Sequence, residues 1–165
     1  MIASSYFWFL LTAAPFCIWA AFSDLKTMTI PNRLSIWMVA AFLVPALFTL
    51  APVTILWHLL AAALVLVAGF LMNAMRMMGG GDAKFGAAMA PYVFLDSIEK
   101  FTLTLGLFLF AALLSHRIAR RIPTLRNLAP DWVSWNAGRN VPMGYAMAGA
   151  LIWYLAGLSL LPLPA

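Results

Sequence analysis

Two aspartates stand out in a chain with almost no acid. Asp24 lies in "FSDLKTMTIPNRLS" and Asp82 in "MMGGGDAKFG", and the only other carboxylates among 165 residues are Asp96, Glu99 and Asp131. When two carboxylates come close they repel, so one holds a proton while the other is ionised, and the pair titrates jointly. Such a pair is base and acid at once. The ionised member takes a proton from water as the water attacks a peptide carbonyl, and the protonated member polarises the carbonyl oxygen. This chemistry asks for no metal, no cofactor and no nucleophilic side chain. The rest of the inventory agrees: His58 and His116 lie in separate regions, no Ser/His/Asp order stands out, and a single cysteine allows neither an internal disulfide nor a paired-cysteine zinc site. Cys17 reads as a small apolar residue within the first helix.

The neighbours of each acid have readable roles. Gly79, Gly80 and Gly81 would let the backbone take conformations closed to other residues and let an extended peptide approach closely. By that reasoning a β-branched residue at Gly81, beside the acid, costs more than a methyl group at Gly79. After Asp24, Pro31 restricts φ at the turn into the second helix and Asn32 can cap its start. Lys26 and Lys84 each follow an aspartate by two residues. They either bias the ionisation of the pair or bind phospholipid headgroups, and the second reading is preferred. A plainer account also exists, in which Asp82 is an N-cap after a glycine linker and Asp24 a solvated loop residue. Spacing alone leaves both accounts open.

The elements that must position these residues follow from composition. A chain that is 65% hydrophobic and 9% charged cannot be covered with polar surface, so it reads as an all-α polytopic membrane protein, a single domain over residues 1–165. Apolar runs cover roughly 4–22, 34–50, 53–75, 85–96, 101–116 and 142–162, which makes a bundle of about six transmembrane helices. The first run lacks the basic flank of a secretory signal and reads as a helix that stays. "LAPVT" is a tight hairpin between the second and third. The fourth run is short, rich in small residues and expected inside the bundle, with Pro91 as a kink.

Basic residues fall almost wholly in loops one, three and five: Lys26, Arg33, Arg76, Lys84, Arg117, Arg120, Arg121, Arg126 and Arg139, against Lys100 alone on the other side. That asymmetry puts those loops, and both Asp24 and Asp82, at the cytoplasmic boundary. The formal charge of +5 is thereby explained by orientation and calls for no nucleic acid. Asp96 and Glu99 fall in the outer loop. Asp131 belongs to "HRIARRIPTLRNLAPDWVSWNAGRN", whose arginines, aliphatics and tryptophans suit a stretch lying along lipid headgroups.

At the two acids the sequence resembles the prepilin peptidases, membrane aspartyl proteases with a GxGD motif. "GGGDAK" is similar to the second-aspartate motif and "SDLKTMTIPN" to the first, while "NVPMGYAMAGAL" at 140–151 resembles the last-helix signature of short members serving Flp (tight adherence) pili, with Met143 in place of the usual aromatic. The resemblance implies that Asp24 and Asp82 are the catalytic pair. It implies a protein of the bacterial inner membrane that removes the short basic leader of a prepilin, ahead of the prepilin's hydrophobic helix, by cutting after a glycine on the cytoplasmic side. Long members add a cysteine-bearing domain and methylate the new N-terminus; this chain is expected to lack that activity. "VPMGYAMAG" reads as close helix packing through Gly144, Ala146, Ala148 and Gly149, with no chemistry assigned. Two rival readings remain: a non-enzymatic assembly subunit or small proton or cation transporter, and a peptidase for type II secretion pseudopilins or another type IV pilus system.

Overall fold

The computed structural model describes residues 3–138 and 140–160, and among these every regular element is helical. Helices α1 (Ala3–Thr27), α2 (Asn32–Thr49) and α3 (Pro52–Ala74) are followed by a short α4 (Gly80–Met89), then α5 (Ile98–Ala119), a surface turn of helix α6 (Pro123–Leu128) and α7 (Gly144–Leu160). Among the described residues four segments are long and apolar enough to cross a bilayer: Ser5–Thr27, Asn32–Thr49, Pro52–Ala74 and Leu95–Ala119. Helix α7 is apolar but shorter, at 17 residues. The fourth expected span is built differently. Its helix begins at Gly80 and stops at Met89, after which two single 3₁₀ turns, Ala90–Tyr92 and Leu95–Ser97, lead into α5. Pro91 lies in the first of these turns, so it follows the end of the helix instead of kinking it.

An irregular segment inside an apolar bundle must have its backbone groups satisfied by protein. Here the Tyr92 hydroxyl donates to the Met38 carbonyl at 3.0 Å, and the Phe94 amide donates to the Tyr154 hydroxyl at 3.0 Å. Ser97 and Tyr154 share a further hydrogen bond of 2.7 Å. Around these contacts Phe9, Phe42, Tyr92, Phe94 and His58 meet edge-on or tilted, filling one end of the bundle. The expectation that the fourth run is internal holds: Ala83, Phe85, Ala87, Ala88 and Met89 are all buried.

The central pair is α1 and α7. Phe9, Ala13, Cys17 and Ala20 recur on one face of α1 and are fully buried, and α7, which packs against α1, buries the small residues Gly144, Ala146, Ala148 and Ala150. Small side chains let two helices approach within dispersion range without a large apolar knob between them. Helix α2 adds Leu34, Met38, Phe42 and Ala46, each one turn from the last. Helices α3 and α5 bury little, and Leu56, Trp57, Leu64, Phe70, Leu103 and Phe110 point outward, as lipid-facing positions should. The α2–α3 hairpin is as tight as "LAPVT" implied, with Leu50 and Ala51 alone between the helices and Pro52 at the first helical position. The interval after α5 carries no buried residue in α6 and folds back through Trp132, which meets Phe22 edge-on, and Trp135, which stacks on His116.

Candidate active site

The end of α1, the start of α4 and the start of α7 meet at one end of the bundle. There a cavity of about 830 Å³ is lined by Asp24, Ile30, Gly79, Gly80, Gly81, Asp82 and Lys84, together with Arg76, Leu113 and the Asn140–Met143 segment. Of the five acids, Asp24 and Asp82 alone line it. Asp96, Glu99 and Asp131 are exposed, the first two at the opposite end beside Ser97. His58 and His116 lie apart, one packed on Phe42 and Phe94, the other on Trp135.

The plainer account of the acids fails on geometry. Asp24 is in the last turns of α1, not in a loop, and is 4% exposed. Its Oδ2 accepts a hydrogen bond of 2.6 Å from the Gly144 amide at the start of α7. Asp82 is not the N-cap of α4: that position is Gly79, and Asp82 sits in the first helical turn. Its carboxylate lies back over the helix start, where the free amides favour negative charge. Asp82 is itself half-buried in the cavity wall. Two partly desolvated carboxylates on one cavity suit a shared proton.

The glycine run works by space and not by unusual backbone angles. Gly79 has φ −66° and ψ 141°, Gly80 and Gly81 are helical, and the left-handed residue in this connection is Arg76, at φ 60°. The reversal from α3 into α4 is held by the Asn73 amide, which donates to the Met78 carbonyl at 2.8 Å. What the glycines lack is a Cβ. One added at Gly79 would stand 2.8 Å from Asp82 Oδ2, and one at Gly81 would stand 3.4 Å from the backbone nitrogen of Ile30. Gly81 thus lies against the turn that follows Asp24 at ordinary contact distance, with the start of α4 beside the end of α1.

Pro31 and Asn32 hold that turn, though not as a cap by Asn32. Pro31 is itself the N-cap of α2, at φ −63°, and no side chain caps the helix. The Asn32 Oδ1 accepts instead from Lys84 Nζ at 2.9 Å, tying α2 to α4 across the rim. The two lysines therefore part ways. Lys84 lines the cavity, whereas Lys26 lies on the outside of α1, 5.8 Å from the centre of the Phe22 ring. Arg139, counted among the basic loop residues, lies outside the described residues.

Sequence reasoning missed Gly144 as a partner of Asp24. Packing is part of its role, as expected: it is buried, and a Cβ there would stand 2.8 Å from Ile30 Cδ1. The same atom would also stand 2.9 Å from Asp24 Oδ2 and 3.1 Å from Asp24 Cβ. The signal that could have pointed to it was a lone glycine after "NVPM", with no side chain before it able to cap α7. No curated protein and no solved structure matches the chain. A family model does, over residues 11–118, a stretch that holds Asp24, Asp82 and every helix between them. By that match the chain belongs to the type IV leader peptidase family.

Proposed function

We propose that this protein is an aspartyl endopeptidase embedded in the bacterial inner membrane, which removes the short basic leader of a prepilin at the cytoplasmic face. The observation that carries the reading is that Asp24 and Asp82, from helices far apart in sequence, line one cavity at the basic end of the bundle. Every Lys and Arg among the described residues except Lys100 belongs to that end, which supports a cytoplasmic placement. The resemblance of "NVPMGYAMAGAL" to short members of the family adds Flp-type pilins as the substrate, cleavage after a glycine, and peptidase activity without N-methylation. In the reaction, the ionised carboxylate takes a proton from water as the water oxygen bonds to the scissile carbonyl carbon, and the protonated carboxyl gives its proton to the carbonyl oxygen. The tetrahedral adduct then expels the amine, which takes the proton held by the first carboxyl, while the second recovers its own from the hydroxyl. Water is thus added across the C–N bond and the pair returns to its starting state.

Mass spectrometry of an Flp-type prepilin incubated with membranes tests this. Wild-type membranes should release a leader ending in glycine and leave the new N-terminus unmethylated. Asp24→Asn and Asp82→Asn should each abolish cleavage while inserting at normal levels, because neither acid can take over both proton transfers. Full cleavage by either variant would sink the assignment.

A further inference from the structure

The Gly144 amide meets Asp24 from a helix that begins 120 residues later. The first amides of any α-helix have no partner within the helix, and side chains or ligands normally satisfy them. Met143, which precedes α7, has no group to do so. The Gly144 amide is satisfied by Asp24 Oδ2 at 2.6 Å, a short distance that suits an N–H donating to an ionised acceptor. The contact is buried, where a hydrogen bond to charge is worth more than at the surface.

Space at this point is as closely set as the hydrogen bond. A Cβ on residue 144 would stand 2.9 Å from the acceptor oxygen, 3.1 Å from the Asp24 Cβ and 2.8 Å from Ile30 Cδ1. The Ile30 methyl could rotate away from such an atom. Asp24, fixed in α1 and only 4% exposed, could yield only by moving its carboxylate. Residue 144 must therefore lack a side chain for the amide to reach the acid. The Pro142 ring, fully buried just before it, restricts the approach of the chain.

Resting on the peptidase reading above, we infer that Gly144 is a positioning residue of the active site: its backbone N–H holds Asp24 Oδ2, fixes the carboxylate and stabilises its ionised form, leaving Oδ1 as the oxygen that exchanges a proton with water. The start of α7 is then a third catalytic element beside the two that carry the acids. It lies beyond residue 118, outside the stretch matched by the family model. A hydrogen bond donated to the charged form lowers the energy of that form specifically. Losing it must therefore shift the pH at which the pair becomes competent as well as the rate.

The test compares rate against pH for leader removal by protein inserted at matched levels. Gly144→Ala should lower the maximal rate about tenfold or more with KM little changed, and move the rising, acidic limb of the profile to higher pH. The same substitution made in an Ile30→Val background removes the contact with Ile30 Cδ1 but leaves those with Asp24. The fold-loss due to Gly144→Ala should be the same in both backgrounds. Replacing the Met143–Gly144 amide by an ester, with glycolate in place of glycine, deletes the N–H without adding an atom; it should reproduce both the loss and the shift, and it covers the case in which the alanine variant fails to fold. Wild-type rate and profile in the ester protein would overturn the inference. So would a Gly144→Ala loss that disappears in the Ile30→Val background, since Gly144 would then only pack. Failure of the wild type to cleave, or cleavage by Asp24→Asn, would refute the underlying peptidase reading instead.

Discussion

Gly79→Ala is the perturbation whose size can be worked most directly from the structure. The added methyl would stand 2.8 Å from Asp82 Oδ2, whereas ordinary van der Waals contact begins at 3.4 Å, so the carboxylate must give way by ~0.6 Å. The backbone at Gly79 is extended, at φ −66°, and accepts alanine without strain. The effect is thus confined to where the acid sits. Misplacing a reacting group by about 1 Å costs on the order of 10²-fold, so ~0.6 Å should cost on the order of tenfold, about 1.4 kcal/mol of transition-state free energy. Gly80→Ala brings a methyl to 3.6 Å from the Asn73 side chain, and Gly81→Ala brings one to 3.4 Å from Ile30; both are tolerable contacts. The expected order is a marked loss at 79 and small losses at 80 and 81. The assay is the single-turnover rate of leader removal, at matched levels of inserted protein, for the three alanine variants. Near wild-type cleavage by Gly79→Ala beside slow cleavage by Gly81→Ala would refute the reasoning, because the glycines would then serve chain closure and not the carboxylate.

Two further outcomes can be measured. In a Cys17→Ala background, chosen because Cys17 is fully buried, cysteines at the exposed positions Asp96 and Glu99 should react with an impermeant reagent added outside intact cells, and cysteines at Lys26 and Thr124 should not; the reverse pattern would place the cavity on the wrong face. Because one carboxyl must be protonated while the other is ionised, cleavage should fall on both sides of a single pH optimum, and a rate that does not fall on the acidic side would contradict the shared-proton account.

What could be read from the sequence was whatever local composition controls. Apolar runs and the placement of Lys and Arg locate the helices and their ends, and two acids in a chain so poor in charge draw attention without help from tertiary structure. The fourth crossing was legible only as short and internal. That it would end at Met89 and continue as 3₁₀ turns depends on Tyr92 reaching Met38 and Tyr154 reaching Phe94, bonds made across 54 and 60 positions, and no local pattern encodes them. Asn32 shows the same limit in miniature. Its type and place suited a cap, but Lys84, arriving from α4, offers a charged donor to the same oxygen.

The glycines are the sharper case. A run of three is ordinarily evidence of unusual backbone angles, and at Gly79–Gly81 that inference is wrong because the connection spends its left-handed residue on Arg76. The absence of a side chain serves instead to let other groups in: Asp82 against Gly79, Ile30 against Gly81, Asp24 against Gly144. Each contact joins a glycine to an acid or to the turn after an acid. Ile30 stands between two of them, its backbone facing Gly81 and its side chain facing Gly144. Three helix ends from distant parts of the chain converge on one cavity around this turn, which α4 approaches at ordinary contact distance and α7 more closely. A methyl at 81 only reaches contact distance with Ile30, and the Ile30 methyl can rotate away from one at 144, so the losses in Gly81→Ala and Gly144→Ala should add in their combination to within about 0.5 kcal/mol. A larger departure from additivity would show that Ile30 transmits strain from one helix end to the other and would contradict the assignment of the Gly144 loss to Asp24.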